Sequence, residues 1–348
     1  MGWCLDAKRV VPDAVRFAVL GSGSKGNCLV IDGGGVVVMI DAGFSPRETR
    51  ARLRGLELDL TDVNALLITH GHGDHVKGAR QIAGSLGIRT WSTEATRAFC
   101  SRFATLKNHV AISGGERFTI GRLSILAVKT PHDEPGSVCY VVDDGDEAFA
   151  VCTDLGFACT NVGAALHGVD SLVCEFNHDA QMLQNGPYTA HLKRRIASRF
   201  GHIDNDDGAA LLQLATSTAL SRVLCAHLSE VNNTPALALS KARAVVDGKD
   251  IDVAVAPQHA PTAWLRVRRT AARRVRPVLD AGIAPQTEPP AVDDGDDDRR
   301  AAATAPASCL PARGEAAVPH PYRAAANPIA LKQQMALFAA SSRTKEPS

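Results

Sequence analysis

The sequence predicts a layered α/β protein whose sheets are covered by helices. Short Val/Ile-rich apolar runs of strand length recur between residues 15 and 256. In the second half of the chain, helical segments alternate with those runs. A third observation sets the limit: beyond about residue 265 the composition changes character. The chain has 348 residues, 45% hydrophobic and 22% charged, enough for one large domain with a substantial core.

Strands are expected at 15–20, 28–31, 36–40, 65–69, 123–128, 138–142, 148–152, 171–176, 222–226 and 251–256. Helices are expected at 46–54, 75–86, 93–102, 187–199, 205–218 and 235–246. The last two have clear starts: Asp204 or Asn205 precedes one apolar run, and Thr234-Pro235 supplies N-cap and N1 of the other. These elements define an expected domain over residues 15–264. Residues 265–348 form the expected tail. It opens with six arginines in residues 266–276, becomes acidic and Pro-rich, and ends Ala/Pro-rich. Its apolar content is too low to offset ordering entropy, so disorder is expected, with PIALKQQMALFAA as an isolated amphipathic helix.

The formal net charge of +1 gives the whole chain no electrostatic preference for nucleic acid, leaving local basic patches as the only route. Nine cysteines without a C-x-x-C pair read as reduced thiols of a cytoplasmic protein. No apolar run is long enough to span a membrane, and the N-terminus lacks a secretory h-region. Oligomeric state is left open.

Residues 21–26, GSGSKG, satisfy the G-x-G-x-x-G dinucleotide pattern, with Asp41 downstream. That reading requires the third glycine to open a helix whose N-terminus holds a pyrophosphate. Here CLVI, a glycine turn and VVVMI follow instead. The pattern is therefore a tight loop between two strands, and its Ser22, Ser24, Lys25 and Asn27 are candidate substrate contacts.

The strongest signal is THGHGDH at 69–75, directly after an apolar strand. Three imidazoles and a carboxylate within six residues lose free energy if buried without partners. A transition metal resolves this, because imidazole nitrogen and carboxylate oxygen are its preferred donors. His132, Asp154 and His227 each follow an apolar strand, at the end where an α/β sheet collects functional groups. With His70, His72, Asp74 and His75 they make seven donors, enough for two divalent ions, Zn²⁺ or Mn²⁺, sharing one bridge.

In HGHGDH, in Asp41 of MIDAG, and in the order of His132, Asp154 and His227, the chain resembles the metallo-β-lactamase superfamily. The resemblance implies a four-layer αββα sandwich with a dinuclear centre at one edge. It assigns His70, His72 and His132 to one ion, Asp74, His75 and His227 to the other, Asp154 to both, and Asp41 to a supporting role. FAVLGSGSKGNC, ITHGHGDHVKG, EFNHDAQML, GPYTAHLKRRIASRFGHIDN and LCAHLSEVNNTP resemble the WalJ (YycJ)-like branch, over roughly residues 16–262. One departure is GHIDN, where that branch more often shows GHLSN. The branch implies DNA hydrolysis from the 5′ end.

Two ions about 3.5–4 Å apart would acidify a bridging water to a hydroxide nucleophile. The catalytic candidates are then Asp74 and two histidines able to protonate a leaving alkoxide, His202 and His178. A leaving-group histidine in the superfamily's tRNA 3′-processing endonucleases has the sequence order of His202, with Glu175 preceding it. Lys193 and Arg194 are candidate phosphate contacts. The expected function is thus a dinuclear phosphodiesterase acting on DNA. The alternatives are thioester, lactone or other ester hydrolysis on the same centre, or a non-catalytic binding protein.

Overall fold

The computed structural model describes residues 14–33, 35–100 and 106–268. Two seven-stranded sheets face each other. The first has the order β14-β1-β2-β3-β4-β5-β6. It is built from Arg16–Gly21 (β1), Cys28–Gly33 (β2), Val36–Ile40 (β3), Ala65–Leu67 (β4), Arg89–Thr93 (β5), His109–Ile112 (β6) and Leu265–Arg266 (β14). The second runs β13-β12-β11-β10-β9-β8-β7. Its strands are Arg117–Ile120 (β7), Leu123–Lys129 (β8), Val138–Asp143 (β9), Ala148–Cys152 (β10), Ser171–Glu175 (β11), Arg222–Ala226 (β12) and Asp252–Val255 (β13).

Period-2 alternation divides each strand between two cores. Phe17 and Ile31 of the first sheet meet Tyr140, Phe149 and Leu224 of the second between the sheets. The outer face of the first sheet, with Leu20, Val30 and Met39, packs on Pro46–Arg54 (α1) and Ala79–Leu86 (α3) through Leu53 and Ile82. The outer face of the second is covered by Thr160–Leu166 (α5), Asn205–Ala215 (α8) and Pro235–Val245 (α9) through Val162, Leu211 and Ala238. The result is the αββα layering expected. Because helices cover both sheets, central strands such as β2, β10 and β12 are buried throughout and read as continuous apolar runs.

β5, β6, β7 and β14 escaped the sequence reading. RTWST, HVAI and RFTI carry polar or charged residues where a run of Val/Ile was sought, and β14 is two residues long. β14 pairs with β1, and Val267 beyond it is buried in the inter-sheet core, so the ordered fold continues past residue 264. The short helices α5 and Ala180–Asn185 (α6) were also missed; α5 has no side-chain N-cap. Glu94–Phe99 (α4) and Ala190–Ile196 (α7) lie inside the expected 93–102 and 187–199.

The single helix expected at 75–86 is two, Gly73–Val76 (α2) and α3. The carbonyls that would continue it are used elsewhere. Asp74 accepts from the Asn27 amide at 2.8 Å, and His75 from the Ala42 amide at 2.7 Å. The Gly78 amide in turn donates to Ala42 O at 2.8 Å. The helix is interrupted so that the 70–75 segment can be sewn to the β1–β2 loop and the segment after β3.

The seven described cysteines are free thiols, and no helix among the described residues is long and apolar enough to cross a membrane. Of the arginine cluster only Arg266 and Arg268 are described, and the tail from 269 onward, with the candidate helix, lies outside the described residues.

Candidate metal centre at the sheet edges

β3 through β6 run parallel, as do β10 through β13, and β8 points the same way as β10. Their C-terminal ends therefore gather at one edge. Asp41 follows β3, His70 follows β4, His132 follows β8, Asp154 follows β10, Glu175 ends β11 and His227 follows β12. Asp41, Asp154 and His227 all adopt positive φ, at 59°, 63° and 55°. Left-handed backbone is costly for residues with a Cβ, and here it turns each side chain off its strand into one cluster.

Four overlapping groups result, in each of which the ligand atoms lie within 4.8 Å of one another: His70, His72 and His132; His70, His75 and Asp154; Asp74, His75 and His227; and Asp154, Glu175, His202 and His227. All seven donors expected from the sequence are present. His132 Nε2 and His72 Nδ1 face each other at 3.2 Å. His70 Nε2, Asp154 Oδ2 and His227 Nε2 are buried without a hydrogen bond, though Asp154 Oδ2 is 3.3 Å from His75 Nε2 and His227 Nε2 is 3.6 Å from Asp74 Oδ2. Orphaned polar atoms of this kind are expensive unless something else binds them. Their chemistry, imidazole nitrogen and carboxylate oxygen, suits a divalent transition ion.

The electrostatics agree. Burial, reinforced by His75, holds His70 well below the usual imidazole range, and burial lowers His72 and His132 too. All three rings thus keep a lone pair available. Burial penalises charge on Asp154, yet His227, His75, His70 and His202 outweigh it and hold the carboxyl well below its ordinary value. Burial also works against protonation of His75, but Asp154, Asp41 and Asp74 push it up to about 9. His227 is raised in the same way, against burial, by Asp154, Asp74 and Glu175. A cation entering here would displace these protons.

Asp41 accepts from Thr69 N at 2.9 Å, from Thr69 Oγ1 at 2.8 Å and from His75 Nδ1 at 2.8 Å. It locks the start of the histidine turn and leaves Nε2 of His75 facing the cluster. Glu175 takes the Leu155 amide at 2.7 Å through one oxygen, and His202 Nδ1 at 2.8 Å and His227 Nδ1 at 3.1 Å through the other. The buried glutamate thus orients both histidines. His202 is half-buried at the rim. His178 stands apart: it is buried, its Nδ1 meets Asn177 Oδ1 at 3.3 Å, and its carbonyl accepts from Asn205 N, the first residue of α8.

The glycine loop is the turn of an antiparallel β1–β2 hairpin, with no helix after it. Two of its expected substrate contacts face inward. Ser22 Oγ accepts from His227 N at 2.8 Å, and Asn27 Nδ2 reaches His75 Nε2 at 2.9 Å and Asp74 Oδ2 at 3.2 Å. Ser24 and Lys25 are exposed, and Lys25 pairs with Glu230 at 2.7 Å. Lys193 Nζ donates to Gln184 O at 2.8 Å, while Arg194 is exposed.

Two acids were missed. Asp133 Oδ1 lies 3.0 Å from His72 Nε2, and its other oxygen is gripped by Arg195 at 2.8 Å. Glu134, buried, accepts from Gly71 N at 2.8 Å and braces the histidine turn. Their place directly after His132, in PHDE, was the available signal.

Fold and site together define a metallo-hydrolase of the αββα type. Residues 21–194, half the chain, match the metallo-beta-lactamase superfamily, and the chain belongs to it. Within the superfamily it is 30% identical over 243 residues to Exodeoxyribonuclease YycJ of Bacillus anthracis, spanning 69% of this chain and 92% of that protein. It is 28% identical to Exodeoxyribonuclease WalJ of Streptococcus pneumoniae over 64% of this chain and 85% of that one. The metallo-beta-lactamase fold protein YhfI from Bacillus subtilis superposes with a TM-score of 0.55 at 17% identity, covering 72% of this chain and 99% of YhfI.

Proposed function

We propose that the protein is a dinuclear metal-dependent phosphodiesterase that degrades DNA from the 5′ end. The observation that carries this is the gathering of seven donor side chains, three ending in buried atoms without a hydrogen bond, beside a rim histidine held by a buried glutamate. In this reading His70, His72 and His132 hold one Zn²⁺ or Mn²⁺ and Asp74, His75 and His227 hold the other. Asp154 serves both, and Asp41 and Glu175 fix ring orientation. Such ions, when bound, acidify water and neutralise charge on a phosphoryl oxygen.

The chain's own residues supply the rest. Glu175 takes Nδ1 of His202, which makes Nε2 the atom that passes a proton to the leaving oxygen. His178, outside the donor groups, is left with a structural part. Exposed Ser24 and Arg194 can meet phosphates, and Lys25 can do so by releasing Glu230. DNA as the substrate is supported by two relatives named exodeoxyribonucleases. Purified protein with Mn²⁺ or Zn²⁺ and 5′-labelled duplex DNA should release nucleotides. Turnover of S-lactoylglutathione without any release from DNA would overturn the reading.

A further inference from the structure

Among the described residues only four large hydrophobic side chains are exposed, and the two aromatic ones flank the candidate metal centre. Phe99, the last residue of α4, is 52% exposed, with its ring centroid 6.0 Å from that of His72. Phe200 is 58% exposed and lies two residues before His202. Between them the rings of His72, His132 and His202 follow one another at 4.9 and 5.5 Å. Phe99 thus stands at one end of a row of site histidines, and Phe200 is two residues before the histidine at the other end.

Neither exposure comes from loose backbone. The chain at Phe200 is held by the Gly201 carbonyl, which meets His132 Nδ1 at 3.1 Å. On its other side Gly156 approaches so closely that a Cβ there would lie 2.6 Å from the Phe200 amide nitrogen. Phe99 rests against Gly71, where a Cβ would come within 2.9 Å of the ring. Each ring is braced by close backbone packing and left uncovered by the described residues. A singly exposed phenylalanine is ordinary on a protein surface, and what distinguishes these two is their place beside the site histidines.

Charge identifies the occupant. Residues 187–202 carry Lys193, Arg194, Arg195 and Arg199 and no acid. Arg199 packs its guanidinium 4.7 Å over the Phe157 ring, on the same segment as Phe200. Aromatic faces interleaved with cations beside a hydrolytic centre match a polyanion with flat, apolar bases, and not a small neutral ester. A base offers a phenyl ring a free face only at a strand end or when it is unstacked, and two rings about one linkage call for an unstacked strand. We propose that Phe99 and Phe200 are base-stacking platforms that grip an unpaired strand end on either side of the scissile phosphodiester. This rests on the phosphodiesterase reading above and adds to it that the strand bound is single.

The test uses the metal-loaded full chain and short DNA with phosphorothioate linkages and 2-aminopurine near the end, so that binding is read without turnover. Wild-type protein should bind the single strand more tightly than the blunt duplex and quench the 2-aminopurine. Phe99→Leu and Phe200→Leu, which keep apolar bulk but lose the π face, should each weaken binding about tenfold and relieve the quench. Phe→Trp at either position should restore both, and Leu237→Ala, at another exposed apolar side chain, should bind as wild type. Leu variants that bind and quench like wild type, or Trp variants that do not restore binding, would overturn the stacking site. Cleavage of ordinary DNA by wild type is scored separately: its absence removes the nuclease reading while the binding data still decide the platforms.

Discussion

At the scale of single residues, the two candidate proton donors separate by environment. His202 sits at the rim with Nδ1 on Glu175, whereas His178 is buried with its carbonyl on the first amide of α8. His202→Ala should lower kcat about 10²–10³-fold with metal content unchanged by elemental analysis, since a positioned acid contributes on that order. His178→Ala should change kcat by only a few-fold. Loss of metal from the His202 variant would make it a ligand instead. Asp133, which orients His72 and is itself held by Arg195, should matter through the metal: Asp133→Asn is expected to weaken divalent-ion affinity about 10- to 100-fold in a competition titration. The seven donors were readable because ligand-type residues directly follow apolar strands, where packing has no use for them. Asp133 and Glu134 were not, because an acid in a loop is ordinarily solvated. The inward turn of Ser22 and Asn27 depends on His227 and His75, 205 and 48 residues away.

At the scale of elements, the break between α2 and α3 shows tertiary contacts overriding helical periodicity. Gly78 has room for nothing larger: a Cβ would lie 2.1 Å from the Phe44 carbonyl oxygen. Gly78→Ala should therefore cost about 2–4 kcal/mol in chemical denaturation. Gly84, inside α3 with open space around its Cβ position, behaves oppositely, and Gly84→Ala should stabilise by about 0.5–1 kcal/mol. In the first turn of α8, burial together with Asp204 and Asp206 pushes Asp207 up to about 6. Its ionisation thus costs more folded than unfolded. Stability contributed by this group is present at low pH, falls as pH rises from about 4 to about 6, and stays lost above that. Asp207→Asn should raise stability by about 1 kcal/mol at pH 8 and not at pH 4, as read from urea unfolding at the two pH values. The longest helices, α8 and α9, were legible through their caps and their length, whereas six-residue α6 was missed although Asp179 caps it. Short, weakly capped α5 and the polar strands β5, β6 and β7 gave no periodic signal to find.

At the scale of the whole molecule, the candidate metal centre lies where loops of the two sheets meet above their shared apolar core, and it gathers buried polar atoms, His70 Nε2, Asp154 Oδ2 and His227 Nε2, that have no hydrogen bond. Chelation should abolish hydrolysis and lower the melting temperature by about 5–15 °C in differential scanning fluorimetry, as loss of a tightly bound ligand requires. An unchanged melting temperature would mean that the donors were satisfied without metal. By itself the sequence pointed to sheets covered by helices and to the candidate donors, and its resemblance to the superfamily implied the αββα layering. Strands buried on both faces must be apolar throughout, and residues that break that rule at strand ends betray a site. Only the tertiary structure decided which loop residues turn inward, which acids orient the histidines, where the helix must break, and which phenylalanines stay uncovered. Each of those depends on partners remote in the chain, which no local pattern of propensity or spacing encodes.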